Sequence, residues 1–329
     1  MSYINWIRAR VGTRKIFLVT SSVVVWQANE DAEQPRGFLL QHRTDMDVWG
    51  LPGGMLEIDE DIMACARREV QEETGLTLGD LRLVGVYTHP DLDVALPNGD
   101  EFQQFTFCFS SVAAGGQMQI DHTEAHDLRY FAMSDLDSLL VPNWYRVMLR
   151  DAARQNAAPT FEPPYAGEAV LDQVAQVRPF IGNDRLIGVG ASAVVVREDG
   201  RILMVQRSDN GLWLFPAGYA DLGETVAHTA VREVREETNL HIVPERIIGV
   251  YSSPLFHHTY PNGHQVKNVG VLFRARLVDS ANGLPQADGD EISSVAWMTP
   301  QEMLTRTLPA YRPYFEAALQ HLTEGYFVT

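Results

Sequence analysis

The chain has 329 residues, too many for one ordinary hydrophobic core and comfortable for two domains. It is 45% hydrophobic and 21% charged, a normal globular composition, and no apolar run approaches bilayer length. Two cysteines, Cys65 and Cys108, exclude a disulfide framework and a cysteine-built zinc site; a net charge of −17 argues against a nucleic-acid polymer as partner, but not against a small phosphorylated substrate whose charge a metal ion offsets.

The first fourteen residues mix polar and basic side chains with Ile4, Trp6, Ile7 and Val11 and lack the apolar core of a secretory signal, so a soluble, cytoplasmic chain without a membrane partner is expected. Along the chain the patterns read as a helix near 3–8 stopped by Gly12, strands at 19–27 and 38–43, a glycine turn at 49–54, and a helix from near Glu60 to near Gly75. A β-run at 84–87, a turn at Pro97-Asn98-Gly99, an apolar run through Cys108, a strand ending at Phe131 and short helices complete the first half. Residues 155–167, with Pro159, Pro163 and Pro164, show no periodicity and read as a linker. The series then recurs: 172–178 with Gly182, 189–197, 202–207, 213–218, 248–251 and Pro261-Asn262-Gly263. The expected organisation is domain 1 at 1–154, linker at 155–167 and domain 2 at 168–329. Each domain is of α/β class, a mixed sheet with helices on both faces.

The repeat carries chemistry. Gly54, Glu60, Arg68, Glu69, Val70, Glu72, Glu73, Gly75 and Leu76 recur as Gly218, Glu224, Arg232, Glu233, Val234, Glu236, Glu237, Asn239 and Leu240, each 164 residues later. Residues three and four apart share a helix face, so Glu69, Glu72 and Glu73 converge, as do Glu233, Glu236 and Glu237. Three adjacent carboxylates repel one another, and a hard divalent cation relieves this; Mg²⁺ takes oxygen ligands and keeps positions open for phosphate oxygens. A carbonyl at Gly54 or Gly218 could add a ligand. Arg68 and Arg232 are expected to hold the carboxylates in place. Acids on a helix usually form only a solvated face, but here they follow a glycine turn and the pattern recurs intact.

Both segments, 54–76 and 218–240, resemble the Nudix box, Gly-x5-Glu-x7-Arg-Glu-U-x-Glu-Glu-x-Gly-U with U a bulky aliphatic. The first matches every fixed position. The second has Asn239 for the last glycine, and Ala217 where the first has Gly53; Asn tolerates a left-handed helix end, so little damage is expected. The resemblance implies two Nudix-like α/β/α sandwich domains in tandem, each with the box loop and helix carrying the acids. It also implies Mg²⁺-dependent (or Mn²⁺-dependent) hydrolysis of the pyrophosphate bond in a nucleoside diphosphate linked to another moiety, such as ADP-ribose or a nucleotide sugar. Carried over, Glu69, Glu72 and Glu73, and Glu233, Glu236 and Glu237, hold metal. Glu69 and Glu233 serve as general base, or an acid outside the box does so, Glu124 in one half and Glu291 in the other.

Arg43 and Arg207 are repeated at one position and read either as a phosphate or base contact or as a structural ion pair. Trp49 and Trp213 read more readily as packing beneath the loop than as base stackers. His89, His122, His126, His257, His258 and His264 are expected in loops or turns, without a metal role. Other readings stay open: a triphosphate-sanitising pyrophosphatase, or one catalytic domain beside a nucleotide-sensing one, the second half being nominated as the weaker enzyme by Asn239 and Ala217. The expected partner is a small nucleotide, and the two domains are expected to pair as an intramolecular pseudo-dimer.

Overall fold

The computed structural model describes residues 2–28, 37–96, 98–278 and 284–329; Pro97, which opens the first expected turn, lies outside them. The chain divides into two compact units, Met1–Thr160 and Phe161–Thr329. The divide falls inside 155–167, where a short strand, Thr160–Phe161, is found.

In the first unit the entry helix Tyr3–Val11 stops at Gly12, whose φ of 66° with ψ of −144° lies outside the left-handed helical well and suits only a residue without a side chain. Arg8 ties this corner down, donating to the carbonyls of Gly12, Arg14 and Glu101 at 3.1, 2.7 and 2.8 Å. The chain then enters strand Ile16–Trp26, which runs parallel to Glu101–Gly116 from Ile16↔Phe102 to Trp26↔Val112. Along the paired stretch both strands are buried almost throughout, as a central parallel pair must be, so burial does not alternate and takes in polar residues such as Ser21, Gln103 and Thr106. Antiparallel strands flank the pair: Arg82–Tyr87 on Glu101–Gly116, and Phe38–Arg43 joined in turn to Ala125–Phe131. Val24, Phe38 and Leu40 of the sheet pack on Met148 and Leu149 of helix Asn143–Arg154.

The second unit repeats the plan. Helix Gln173–Ile181 stops at Gly182 with φ 57°, and Arg178 donates to Gly182, Asp184 and Gln265 as Arg8 does to its own three carbonyls. Strand Leu186–Val195 runs parallel to Gln265–Leu277, and Ile202–Arg207 pairs antiparallel with Ile292–Met298. Alternate side chains of one strand go to opposite faces. Val194 packs with Tyr314 and Phe315 of helix Arg312–Gln320, whereas Ala193 and Val195 pack with Val234 of the box helix. The mixed sheet therefore carries helices on both faces.

Two expectations need correction. The box helices are Ile62–Thr74 and Val226–Thr238. They begin after Glu60 and Glu224, because Asp61 accepts from the amides of Met63 and Ala64, and Thr225 from that of His228, which fixes the caps there. Glu60 and Glu224 thus stand in the loop, not on the helix. Likewise His126, His257 and His258 lie in paired strands, Ala125–Phe131 and His257–Thr259, where β-ladder bonds claim the backbone. Both box helices end in the left-handed conformation, at Gly75 with φ 71° and at Asn239 with φ 57°, so Asn239 does fill the glycine's role. Cys65 and Cys108 are buried and unpaired with each other, and burial pushes both thiols up. No described helix is long and apolar enough to cross a membrane.

Candidate active site

Each box helix lays one arginine across its acids. In the first unit the Arg68 guanidinium donates to Glu60 Oε1 and Oε2 at 2.6 and 3.1 Å, to Glu69 Oε1 at 2.7 Å, to Glu72 Oε2 at 3.1 Å and to the Met55 carbonyl at 3.2 Å. In the second, Arg232 makes the same set: Glu224 at 2.8 and 3.2 Å, Glu233 at 2.7 Å, Glu236 at 3.1 Å and the Tyr219 carbonyl at 2.7 Å. The planar five-donor fork explains why this position is Arg and not Lys. One Nη1 atom holds both Glu69 and Glu72, so their oxygens are drawn to one point; Nη1 of Arg232 does so for Glu233 and Glu236. Glu60 also caps its own loop, accepting from the Glu57 amide at 2.9 Å.

The third acid lies deeper. Glu73 is 4% exposed and accepts from the Gly53 amide at 2.8 Å and from Gln41 Nε2 at 2.9 Å. Burial first, then the charges of Glu124 and Glu69, raise its pKa to about 8 against those two hydrogen bonds. Glu237, also 4% exposed, accepts from the Ala217 amide at 3.0 Å, and burial together with Glu233 raises its pKa well above the carboxylate range. Glu69 is raised by burial, partly offset by Arg68; Glu233 is raised in the same way to about 7, with Glu236 and Glu291 adding to it.

The box glycines have a direct steric reason. A Cβ at Gly54 would stand 2.4–2.5 Å from the Glu69 carboxyl atoms, and one at Gly218 would stand 2.0–2.2 Å from those of Glu233. The carboxylate occupies the space a side chain would fill.

Glu124 and Glu291 sit exposed at matching places. The Glu124 carbonyl accepts from the Thr44 amide at 2.9 Å and the Glu291 carbonyl from Ser208 at 2.8 Å, each just before the strand that pairs with the Arg43 or Arg207 strand. Their charges reach Glu69 and Glu73 in one unit and Glu233 and Glu237 in the other. Arg43 and Arg207 form two-pronged ion pairs, with Asp45 at 3.0 and 2.7 Å and with Asp209 at 2.9 and 3.2 Å. Trp49 packs against Phe131 and His42, at 4.7 and 4.9 Å between ring centroids, and Trp213 joins the core behind Phe215. Sequence reasoning passed over Gln41. Its signal is a lone amide in an apolar strand, and its counterpart 164 residues on is Val205, so the second unit lacks that bond to its buried acid.

Hard oxygen donors, gathered by an arginine and strained by burial and mutual repulsion, fit a hard divalent cation. Among the described residues no three His, Cys, Asp or Glu side chains already form a finished metal cage. The Gly54 carbonyl accepts from the Ser21 amide at 2.9 Å and, weakly, from Cys65 Sγ at 3.8 Å.

The sequence model of the NUDIX domain matches residues 18–152 and 186–318. A MutT-like protein of Streptomyces ambofaciens is 34% identical over 126 residues, 38% of this chain and 73% of that one. An ADP-ribose pyrophosphatase of Methanocaldococcus jannaschii is 37% identical over 81 residues, 24% of this chain and 46% of its own length. A crystal structure of an ADP-ribose pyrophosphatase from Streptococcus suis, 21% identical, is covered over 98% of its chain and 44% of this one, with a TM-score of 0.34. The chain belongs to the Nudix family of hydrolases and carries two Nudix domains in tandem.

Proposed function

We propose that the chain hydrolyses the pyrophosphate bond of a nucleoside diphosphate linked to another moiety, ADP-ribose or a nucleotide sugar, with Mg²⁺ or Mn²⁺, at two sites. The observation that carries this reading is the acid cluster gathered on one arginine, built twice from the same atoms at nearly the same distances. The linked-diphosphate class is favoured by the likeness to the ADP-ribose pyrophosphatase of M. jannaschii.

Glu69, Glu72 and Glu73, with the Gly54 carbonyl, would hold the cation in the first domain; Glu233, Glu236, Glu237 and Gly218 would do so in the second. When bound, the cation supplies positive charge against the phosphates and lowers the pKa of an attacking water. Arg68 and Arg232 fix two carboxylates each and offset their repulsion. Glu69 and Glu233 take the proton from water: they are half-buried and lie beside the cluster, and their raised pKa values move toward the working pH, where a base is most effective. Glu124 and Glu291 lie at the rim and add negative charge; if one of them is the base instead, Glu124→Gln silences the first site more than Glu69→Gln does. Arg43 and Arg207, already paired to Asp45 and Asp209, are held rigid enough to meet a phosphate by a remaining N–H.

A screen of nucleotide sugars, dinucleotides and nucleoside triphosphates with Mg²⁺, read by product chromatography, tests this. The expected result is nucleoside monophosphate released from linked diphosphates, abolished by excess EDTA while the circular-dichroism spectrum stays folded. Cleavage of triphosphates alone would favour the sanitising reading. One observation favours a non-catalytic second domain, the loss of the Gln41 bond at Val205; activity on every substrate unchanged by Glu237→Gln would establish it. Pairing of the two domains within one chain belongs to the same proposal, and small-angle scattering tests it: two separated beads would contradict it.

A further inference from the structure

The two clefts share their acids but not their floors. Backbone bonds and strand register match the positions that differ. Met55 and Tyr219 each give the carbonyl that accepts from the box arginine. Leu96 and Tyr260 make the same backbone bonds: the Leu96 amide donates to the Asp100 carbonyl and the Leu96 carbonyl accepts from the Gly99 amide, as the Tyr260 amide donates to the His264 carbonyl and the Tyr260 carbonyl accepts from the Gly263 amide. Leu18 faces Gln104 across the parallel pair where Gly188 faces Asn268, and Thr20 faces Thr106 where Gly190 faces Gly270.

The side chains at these positions have been exchanged as a set. A Cβ on Gly188 would stand 2.6 Å from the Tyr219 ring, so the tyrosine requires the glycine; in the first unit the corresponding positions are held by Leu18 and Met55. A Cβ on Gly270 would stand 2.4 Å from the Tyr251 hydroxyl. In the first unit Thr20 and Thr106 fill the corresponding place, bonded to each other at 2.6 Å, and Tyr87, the counterpart of Tyr251, bonds to Asp151 at 3.0 Å instead. Gly190 and Gly270 are also required by close backbone approach: a Cβ on Gly190 would stand 2.2 Å from the Gly218 carbonyl oxygen and one on Gly270 2.3 Å from that of Gly190.

What Gly188 makes room for is a polar chain. The Tyr219 hydroxyl donates to Asn268 Oδ1 at 2.7 Å, so the 2.9 Å contact with Tyr260 has Tyr260 as donor. The chain leaves a phenol oxygen that accepts at one end and an amide NH₂ that donates at the other. Tyr219, Tyr260 and Asn268 are all half-buried, neither sealed in the core nor fully solvated. The cluster adjoins the acids: Tyr219 follows Gly218, against which the Glu233 carboxylate packs, and Tyr260 lies near Arg207.

We propose that Tyr260, Tyr219 and Asn268 form a specificity-determining subsite of the second cleft that takes a hydroxyl-rich, sugar-like moiety, and that the first cleft, floored by Leu18, Met55 and Leu96, selects a substrate poorer in hydroxyls. The inference rests on the hydrolytic reading above and deepens it. A site that hydrogen-bonds a ligand hydroxyl discriminates strongly against a ligand lacking it, because its own polar groups are then left unpaired.

The test uses the full chain with one site silenced at a time. Glu73→Gln leaves the second cleft turning over and Glu237→Gln leaves the first; each is assayed with ADP-ribose and with dATP. The expected ratio of kcat/KM, ADP-ribose over dATP, is at least about tenfold higher in the Glu73→Gln chain. Tyr260→Phe, which keeps the ring and removes the hydroxyl, lowers ADP-ribose kcat/KM about five- to tenfold in that chain and leaves the Glu237→Gln chain unchanged. Equal ratios in the two chains, or no effect of Tyr260→Phe, overturn the inference while hydrolysis stands. If neither chain cleaves either probe, the hydrolytic reading fails. Calorimetric titration with ADP-ribose then decides the subsite: about five- to tenfold weaker binding on Tyr260→Phe supports it, and unchanged or absent binding overturns it.

Discussion

A single carboxylate shows how burial and chemistry meet in this chain. Glu73 is folded into a place where its charge is disfavoured, so the folded state keeps a proton that the unfolded chain releases near its ordinary value of 4.5. That contribution to stability is complete below about 4.5 and is lost as pH rises toward about 8. A divalent cation binds the charged form, so its stabilising effect grows over the same window. In EDTA, the melting temperature of the wild type is expected to fall between pH 5 and pH 8, and Glu73→Gln to fall less by at least about 2 °C; parallel profiles would remove Glu73 as the cause. Gly218 gives a second residue-scale prediction. A methyl group there would stand 2.0–2.2 Å from the Glu233 carboxyl atoms, which Arg232 holds, so Gly218→Ala should cost about 1–3 kcal/mol, displace the carboxylate and lower turnover at the second site about tenfold or more. Paired melts and rates in the Glu73→Gln background check it. The acids themselves were legible in the sequence because charge spacing on a helix is unambiguous. Gln41 was not, because nothing in its own strand announces that the amide meets a carboxylate from a helix 32 residues away.

At the scale of elements, the two box loops reach one end by different backbones. Gly53 takes φ 144°, and a Cβ there would lie 2.1 Å from the Ser21 carbonyl oxygen; Ala217 lies in a strand paired with Ser192. Both amides nevertheless donate to the buried glutamate. Gly53→Ala should therefore cost about 1–3 kcal/mol, and Ala217→Gly under about 1 kcal/mol, as read from denaturation midpoints. Equal costs would mean that the loops do not differ in this way. The first box helix starts two residues after the expected Glu60 because Glu60 and Asp61 are both acids, and only the hydrogen bonds show that Asp61 caps the helix while Glu60 turns back to Arg68.

At the scale of the whole chain, duplication made the architecture legible: a fixed offset of 164 residues aligns two sets of nine positions. Glu124 and Glu291 fall off that offset, yet each is recognisable in the sequence as the acid just before an apolar strand, and their matching backbone bonds to Thr44 and Ser208 put them at equivalent places. The exchanged floors were invisible for another reason. No single substitution among Gly188, Tyr219 and Tyr260 is unusual, and their meaning lies in the contacts between them. The central claim is that both copies of the acid cluster work. It is tested by the steady-state rate of ADP-ribose hydrolysis in Mg²⁺ for the wild type, Glu73→Gln, Glu237→Gln and the double variant. The account predicts that each single variant loses the share of its own site and that the double falls by about a hundredfold or more; a double variant turning over at the wild-type rate would contradict it.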